Sequence, residues 1–191
     1  MSNNPYISIV IPIHDMQNGA FFLWRNINSI MEQTFKDYEI IITKDGKMAE
    51  NTNAGIKMAR GKLIKILYLD DYFAHKNALQ DIVDNFKGDW LITGVDNNPY
   101  PYWTDDIETG NNKLGSPSAL TIRNDEPLLF DENMSYLLDC DYYKRMYERY
   151  GEPTILDGIN VIMGVHEGQM TNLLKEEEKQ SEFNYMLKKY K

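Results

Sequence analysis

Residues 63–71 read LIKILYLDD, an apolar, strand-like run (Leu63–Leu69) that passes without a break into two aspartates, Asp70 and Asp71. A continuous apolar run of this length suits a strand covered on both faces, as in a parallel sheet. Two more such runs lie upstream. YISIVIPI (6–13) is β-branched and nearly all apolar, with Pro12 near its end to stop ladder pairing. YEIIIT (38–43) ends at Lys44-Asp45-Gly46. Between them Leu23, Ile27, Ile30 and Met31 form one apolar stripe at helical spacing, with Asn18 as its N-cap. A shorter helix is expected from Ala49 to Arg60, with Gly61 as its C′ residue. Downstream, Asn77 is expected to cap a helix with a stripe of Leu79, Ile82, Val83 and Phe86, and DWLIT (89–93) reads as a fourth strand. This alternation with short connections predicts an α/β fold whose ligands sit beyond the carboxyl ends of the strands. Those ends carry His14-Asp15, Lys44-Asp45 and Asp70-Asp71.

The second half is less regular. Residues 97–113 predict a long loop or a pair of short strands, and SALTIR (118–123) a strand. A helix is expected over Glu132–Tyr150, stopped by Gly151 and Pro153. Thr154–Gly164 is β-like, and Met170–Lys191 reads as a charged terminal helix with a thin apolar face. There is no internal repeat, and KEEEK (175–179) reads as a solvated helix face.

With 191 residues, 42% apolar and 26% charged, the chain has the balance of one globular domain. Its apolar runs are far too short to span a membrane, and the polar start, Met1–Tyr6, does not read as a signal peptide. The single cysteine, Cys140, excludes an intramolecular disulfide and a cysteine-based zinc site, and reads as a small buried hydrophobe; it suits a reducing, cytoplasmic location. A net charge of −9 repels nucleic acid, and no basic patch offsets it. A phosphate-bearing ligand would therefore need local help, usually a divalent metal on carboxylates.

Three groups of residues carry candidate chemistry. Asp70 and Asp71 are either an acidic pair ahead of a helix or oxygen ligands for Mg²⁺ or Mn²⁺ shared with a diphosphate. Asp139 and Asp141, two apart on a helix, point in different directions. One suits a general base and the other a pairing with Lys144 or Arg145. His166 is a surface residue or a ligand, and the cluster Tyr100, Tyr102 and Trp103 either packs a loop or stacks on a sugar or base. The absence of GxGxxG, Walker A, HExxH and GxSxG strings argues against Rossmann dehydrogenases, P-loop enzymes, zincins and serine hydrolases.

Taken in order, these pieces resemble the GT-A fold glycosyltransferases of family 2. SIVIPIHD resembles that family's S-V-I-I-P-T-Y-N strand, and NINSIMEQTFKDYEIIITKDG its S-I-L-x-Q-T-Y-x-x-x-E-I-I-I-V-D-D-G-S run. NAGIKMARGKLIKILYLDDYF resembles N-x-G-I-x-x-A-x-G-x-Y-I-x-F-L-D-x-D-D. LFDENMSYLLDCDYYKRM resembles the acceptor-side stretch ending in E-D or D-Y-D, and VHEGQMTN the late H-x-x-Q-x-S segment. The likeness covers about residues 6–172. Lys44-Asp45 stands for an acidic pair, Thr52 for an arginine, and Asp70-Asp71-Tyr72 for D-x-D, so the liganding carboxylate is either aspartate. The stretch from Gly46 to Asn53 is short, as in a minimal member of the family.

The resemblance implies a three-layer α/β/α sandwich around a mostly parallel mixed sheet. It divides one domain, 1–191, into a Rossmann-like nucleotide-sugar half (about 1–95), an acceptor-side half (about 96–175) and a C-terminal helix (176–191). It implies metal-dependent, inverting transfer of a sugar from a nucleotide-diphosphate donor, a UDP-sugar above others, to a glycan or other hydroxyl acceptor. Asp139 would be the general base, and Asp70, Asp71 and His166 would hold Mn²⁺ or Mg²⁺. Ile11, Pro12, Ile13, His14, Asp45, Asn53, Leu69 and Asp70 would line the nucleotide site, and Trp103, Ser116 and Asp141 the acceptor side. The rival readings are a non-catalytic nucleotide- or glycan-binding module derived from such a fold, and a metal-dependent nucleotidyl- or phosphotransferase.

Overall fold

A computed structural model describes residues 4–166 and 168–191. Met1–Asn3 of the polar start and Glu167 of the His166 segment lie outside the described residues. The first strand, β1 (Ile7–Pro12), pairs in parallel with β2 (Tyr38–Thr43) on one side and β3 (Leu63–Ile66) on the other. The sheet continues through β6 (Leu120–Arg123), β5 (Trp90–Val95) and β7 (Thr154–Ile162) to the two-residue β4 (Tyr72–Phe73), in the order β2-β1-β3-β6-β5-β7-β4. Only β6 and β4 run against the common direction, so the sheet is mixed and mostly parallel, as expected.

Helices cover both faces. The β1–α1–β2 and β2–α2–β3 crossovers move in opposite directions from β1, and right-handed connections then place α1 (Gly19–Met31) and α2 (Met48–Met58) on opposite faces. α2 lies so close to β1 that a Cβ on Gly55 would stand 2.2 Å from Val10 Cγ1. On the same side Asn53 of α2 clamps the Phe130 backbone (2.9 and 2.7 Å), and Phe130 stacks on Tyr142 of α4 (Leu138–Tyr150). On the other face the Gln33 amide, just past α1, donates to His75 O and accepts from Leu79 N of α3 (Ala78–Asn85), each at 2.9 Å. Two helices close the chain, α5 (Met170–Leu173) and α6 (Glu176–Lys189). The core between the layers is built on Ile7, Ile9, Ile11, Ile64, Ile66, Leu91 and Ile92, all fully buried.

Several boundaries differ from expectation, each for a tertiary reason. The third strand stops at Ile66 rather than Leu69, because the chain leaves the sheet in a turn closed by Asp71 N donating to Tyr68 O (3.0 Å). α4 starts at Leu138 rather than Glu132, because the preceding N–H groups donate to side chains instead of to carbonyls one turn back. Gly61 is no helix cap. α2 ends at Met58, and Gly61 instead lies against β1, where a Cβ would meet Ser8 N at 2.6 Å. Asn18 occupies the N-cap position of α1 in a left-handed conformation and makes no side-chain cap, nor does Asn77, whose Oδ1 accepts from Thr34. Met31 leaves the buried stripe and is 58% exposed. The terminal helix is broken between α5 and α6. None of the described helices is long and apolar enough to cross a membrane.

The close approach of α2 to β1 sets a test. Gly55→Ala overpacks the contact with Val10 and should destabilise the fold by about 1–3 kcal/mol. A urea midpoint equal to that of the parent chain would contradict this packing.

Candidate active site

β1, β2 and β3 end side by side, and their carboxyl ends open onto a cavity of about 260 Å³. Pro12 ends β1 and His14 follows it, Gly46 and Lys47 follow β2, and Tyr68–Asp71 follow β3 along its wall. The opposite wall comes from Ser116, from Ser135 and Tyr136 just ahead of α4, from Leu138 and Asp139 at its start, and from Met163 and His166 beyond β7.

The turn bearing Asp70 and Asp71 is held from three sides. From α1, the fully buried Asn26 amide donates to Tyr68 O and Asp71 O, both at 2.9 Å, and Arg25 donates to Asp70 O at 2.6 Å. From beyond β7, Gly164 N donates to Asp71 Oδ1 at 2.8 Å. Gly164 comes so near that a Cβ would lie 2.3 Å from Asp70 O. From the sheet, the buried Lys65 ammonium donates to Ser118 O and contributes an opposite charge to Asp71. Burial and the neighbouring Asp70 charge raise the Asp71 carboxyl above its ordinary range, while burial lowers Lys65. Asp71 is only 2% exposed, so it fixes the turn, whereas Asp70 turns its carboxylate to the cavity.

There Asp70 Oδ2 meets His166 Nε2 at 2.9 Å, with the imidazole stacked on Phe22 (centroids 5.0 Å apart). Octahedral Mg²⁺-type ions take oxygen ligands at about 2.0–2.1 Å, which puts neighbouring ligand atoms about 3 Å apart. The Asp70–His166 pair, hydrogen-bonded in this structure, has the same separation. No group of three or more His, Cys, Asp or Glu is placed to hold a metal among the described residues. A cation on Asp70 and His166 would complete its shell from phosphate oxygens and water, as Mg²⁺ commonly does. The residues present fit such a group.

Asp139 lies in the first turn of α4. Its Oδ1 accepts from Cys140 N and its Oδ2 from the Asn112 amide, both at 2.8 Å. Burial raises its carboxyl, and these two donors oppose the rise. Asn112 is fixed in turn, with its Oδ1 accepting from Leu114 N and Gly115 N. Cys140 is buried and its thiol is pushed up by burial, so it stays protonated, as expected of a small hydrophobe.

Of the residues singled out from sequence, Pro12, His14, Leu69, Asp70, Asp71, Ser116, Asp139 and His166 share the cavity wall. The others lie elsewhere. Ile11 is fully buried in the core, and Ile13 serves the site only through its carbonyl, which accepts from Asn51. Asp45 is exposed, with its N–H donating to Asn51 Oδ1. Asn53 spends its amide on Phe130 and Glu132. Trp103 stacks on Tyr147 at 4.0 Å, with its indole N–H on Asp105. Asp141 is fully buried and bound by Arg145, Lys189 and Tyr190, away from the cavity. Sequence reading passed over Tyr68, Asn51, Asn112, Ser135 and Tyr136. Only Asn112 carried a local signal, an Asn shortly before Gly115 in a loop, which favours side-chain-to-backbone turns.

This arrangement, a mostly parallel mixed sheet with a cavity at its strand ends, is similar to that of solved GT-A glycosyltransferases. Residues 8–97, just under half of the chain, match the family described as glycosyl transferase family 2. An uncharacterized glycosyltransferase of Rickettsia bellii is 29% identical over 141 residues, which cover 70% of this chain and 19% of that one. S. aureus TarS 1–349 in complex with UDP-GlcNAc superposes with a TM-score of 0.63 at 15% identity, over 88% of this chain and 61% of that one. The mannosyltransferase PcManGT of Pyrobaculum calidifontis, in complex with GDP-Man and Mn²⁺, superposes with a TM-score of 0.58 at 12% identity, over 86% and 58%. The chain thus spans about three-fifths of these structures and far less of the Rickettsia relative.

The Asp139 contacts predict a titration. Asn112→Ala removes a donor that lowers the Asp139 carboxyl, so Asp139 should titrate higher than in the parent chain by ¹³C-carboxyl NMR. An unchanged or lower value would show that Asn112 does not support it.

Proposed function

We propose that the protein transfers a sugar from a nucleotide-diphosphate donor, a UDP-sugar in the first instance, to a hydroxyl acceptor with inversion, using a divalent cation. One observation carries the reading: Asp70, His166 and Asp139 converge on a single cavity into which the start of α2 also opens. α2 presents its first residues, Lys47-Met48, to it. Helix N-termini favour anions through unpaired N–H groups and the macrodipole. That is local help of the kind an acidic protein needs to hold a diphosphate.

Asp70 and His166 would hold the cation, which when bound would neutralise the charge building on the leaving diphosphate. The nucleotide would lie along the strand ends by Pro12, His14, Met48 and Asn51, with Lys47 as a further cationic contact. The acceptor would enter by Ser116, Tyr136 and Met163. Asp139 would take the acceptor's proton as that oxygen attacks the anomeric carbon from the face opposite the diphosphate. The C–O bond to the diphosphate then breaks in the same displacement. The raised carboxyl of Asp139 moves its affinity for protons toward that task, and Asn112 and the Cys140 N–H hold its orientation.

A base works deprotonated, so turnover should rise with pH through a limb above the ordinary carboxylate value of about 3.9. Asp139→Asn should lose that limb and about 10²–10⁴-fold in turnover, with donor binding intact. The assay is release of nucleoside diphosphate from a panel of UDP-, GDP- and dTDP-sugars with Mn²⁺. Collapse of donor affinity in this variant, with no change in turnover at saturation, would remove Asp139 from the chemistry.

A further inference from the structure

α4 begins without a capping side chain of its own. Its N-cap position is Leu137 (φ −103, ψ 18), which has no side-chain acceptor, and a helix start leaves four N–H groups without partners inside the helix. Asp139 Oδ1 satisfies Cys140 N. Just ahead of the helix, the carboxylate of Glu182 on α6 takes three successive N–H groups. Ser135 N donates to Oε1 at 2.8 Å, Tyr136 N to Oε2 at 2.8 Å and Leu137 N to Oε2 at 2.9 Å. Consecutive N–H groups around an anion form a concave cradle, and charge-assisted bonds are about twice as strong as neutral ones. Ser135 and Tyr136 themselves line the cavity, and Asp139 follows two residues after the last of these donors.

We propose that Glu182 is a positioning residue for the transfer reaction: its carboxylate fixes residues 135–137 and thereby the height and tilt of the α4 turn that aims Asp139 at the acceptor. The role rests on the reading of Asp139 as the base. α6 reaches this spot by its own anchors. Lys189 pairs with Asp131 at 2.6 Å and Asp141 at 2.7 Å, Tyr185 and Tyr190 donate to the same two carboxylates, and Met186 is fully buried. Phe183 packs edge-on to Tyr136. Loss of the Glu182 carboxylate therefore leaves α6 docked while freeing the backbone ahead of Asp139. The dependence joins a residue of the last helix to a base more than forty positions earlier, beyond the residues that match the family.

The test is a double-mutant cycle on the full chain, read by nucleoside diphosphate release from the nucleotide-sugar with Mn²⁺ that the parent chain turns over fastest. Glu182→Ala should lower kcat about 10- to 100-fold, the scale on which misplaced catalytic groups act, with nucleotide affinity unchanged. Glu182→Gln, which keeps one acceptor oxygen and turns an amide NH₂ toward N–H donors, should fall between. In the Asp139→Asn background Glu182→Ala should cost nothing more, because the residue acts through Asp139. Lys188→Gln, an exposed substitution on α6 that leaves its anchors and the Glu182 contacts in place, should keep the parent kcat. Amide exchange should quicken at 135–137 in Glu182→Ala while the melting curve stays cooperative. A parent-like kcat in Glu182→Ala, an additive loss in the double variant, or an equal loss in Lys188→Gln would overturn the proposal. Full turnover in Asp139→Asn alone would instead show that the base assignment has failed, and the positioning role would fall with it.

Discussion

Everything at the cavity depends on a carboxylate that is not free to act there. Asp71 is 2% exposed, accepts the Gly164 N–H, and sits beside a buried lysine. It joins the turn after β3 to the segment after β7, and so sets Asp70 next to His166. The cost is visible in the two groups burial perturbs, Asp71 upward and Lys65 downward. A buried carboxylate and ammonium persist only when opposite charge and hydrogen bonds compensate them, and breaking one leaves the other unmatched. Asn26 and Arg25, reaching in from α1, complete the clamp from the far side.

Asp71 and Asp70 are neighbours in the chain but do different physical work. One is enclosed and holds shape; the other turns to the cavity and meets an imidazole. Asp139, across the cavity, is held on both oxygens by donors from its own helix and from the 112–115 turn. The cavity of this acidic chain is thus lined by an Asp–His pair, the start of α2 and a carboxylate held on both oxygens.

Much of this was legible in the sequence. β2 appears over its expected residues, β1 within one residue of each end, and the expected order holds except that β4 is inserted after β3 and the terminal helix is split in two. Asp70, Asp139 and His166, far apart in sequence, do meet at one cavity. What was not legible is what tertiary partners decide. The 132–137 stretch looks helical by composition, yet its N–H groups are drawn to Asp131 and Glu182. Asn53 looks like a nucleotide contact because of the motif around it, but its amide is consumed by a loop. Asp141 was open to two readings, site residue or partner of a helical cation. Its ion pair with Arg145 one turn on, together with Lys189 from α6, decides for the second.

The central claim is that Asp70 and His166 hold a divalent cation that in turn holds a nucleoside diphosphate. Thermal unfolding with UDP, GDP or dTDP, each with and without Mn²⁺, tests it most directly. A ligand at a hundred times its dissociation constant adds about 2.7 kcal/mol, which raises the melting point of a domain this size by about 5–10 °C. The expected result is such a rise for one nucleotide, UDP first, only when Mn²⁺ is present, and its loss in Asp70→Asn. No rise with any nucleotide, or a rise indifferent to Mn²⁺ and to Asp70, would contradict it.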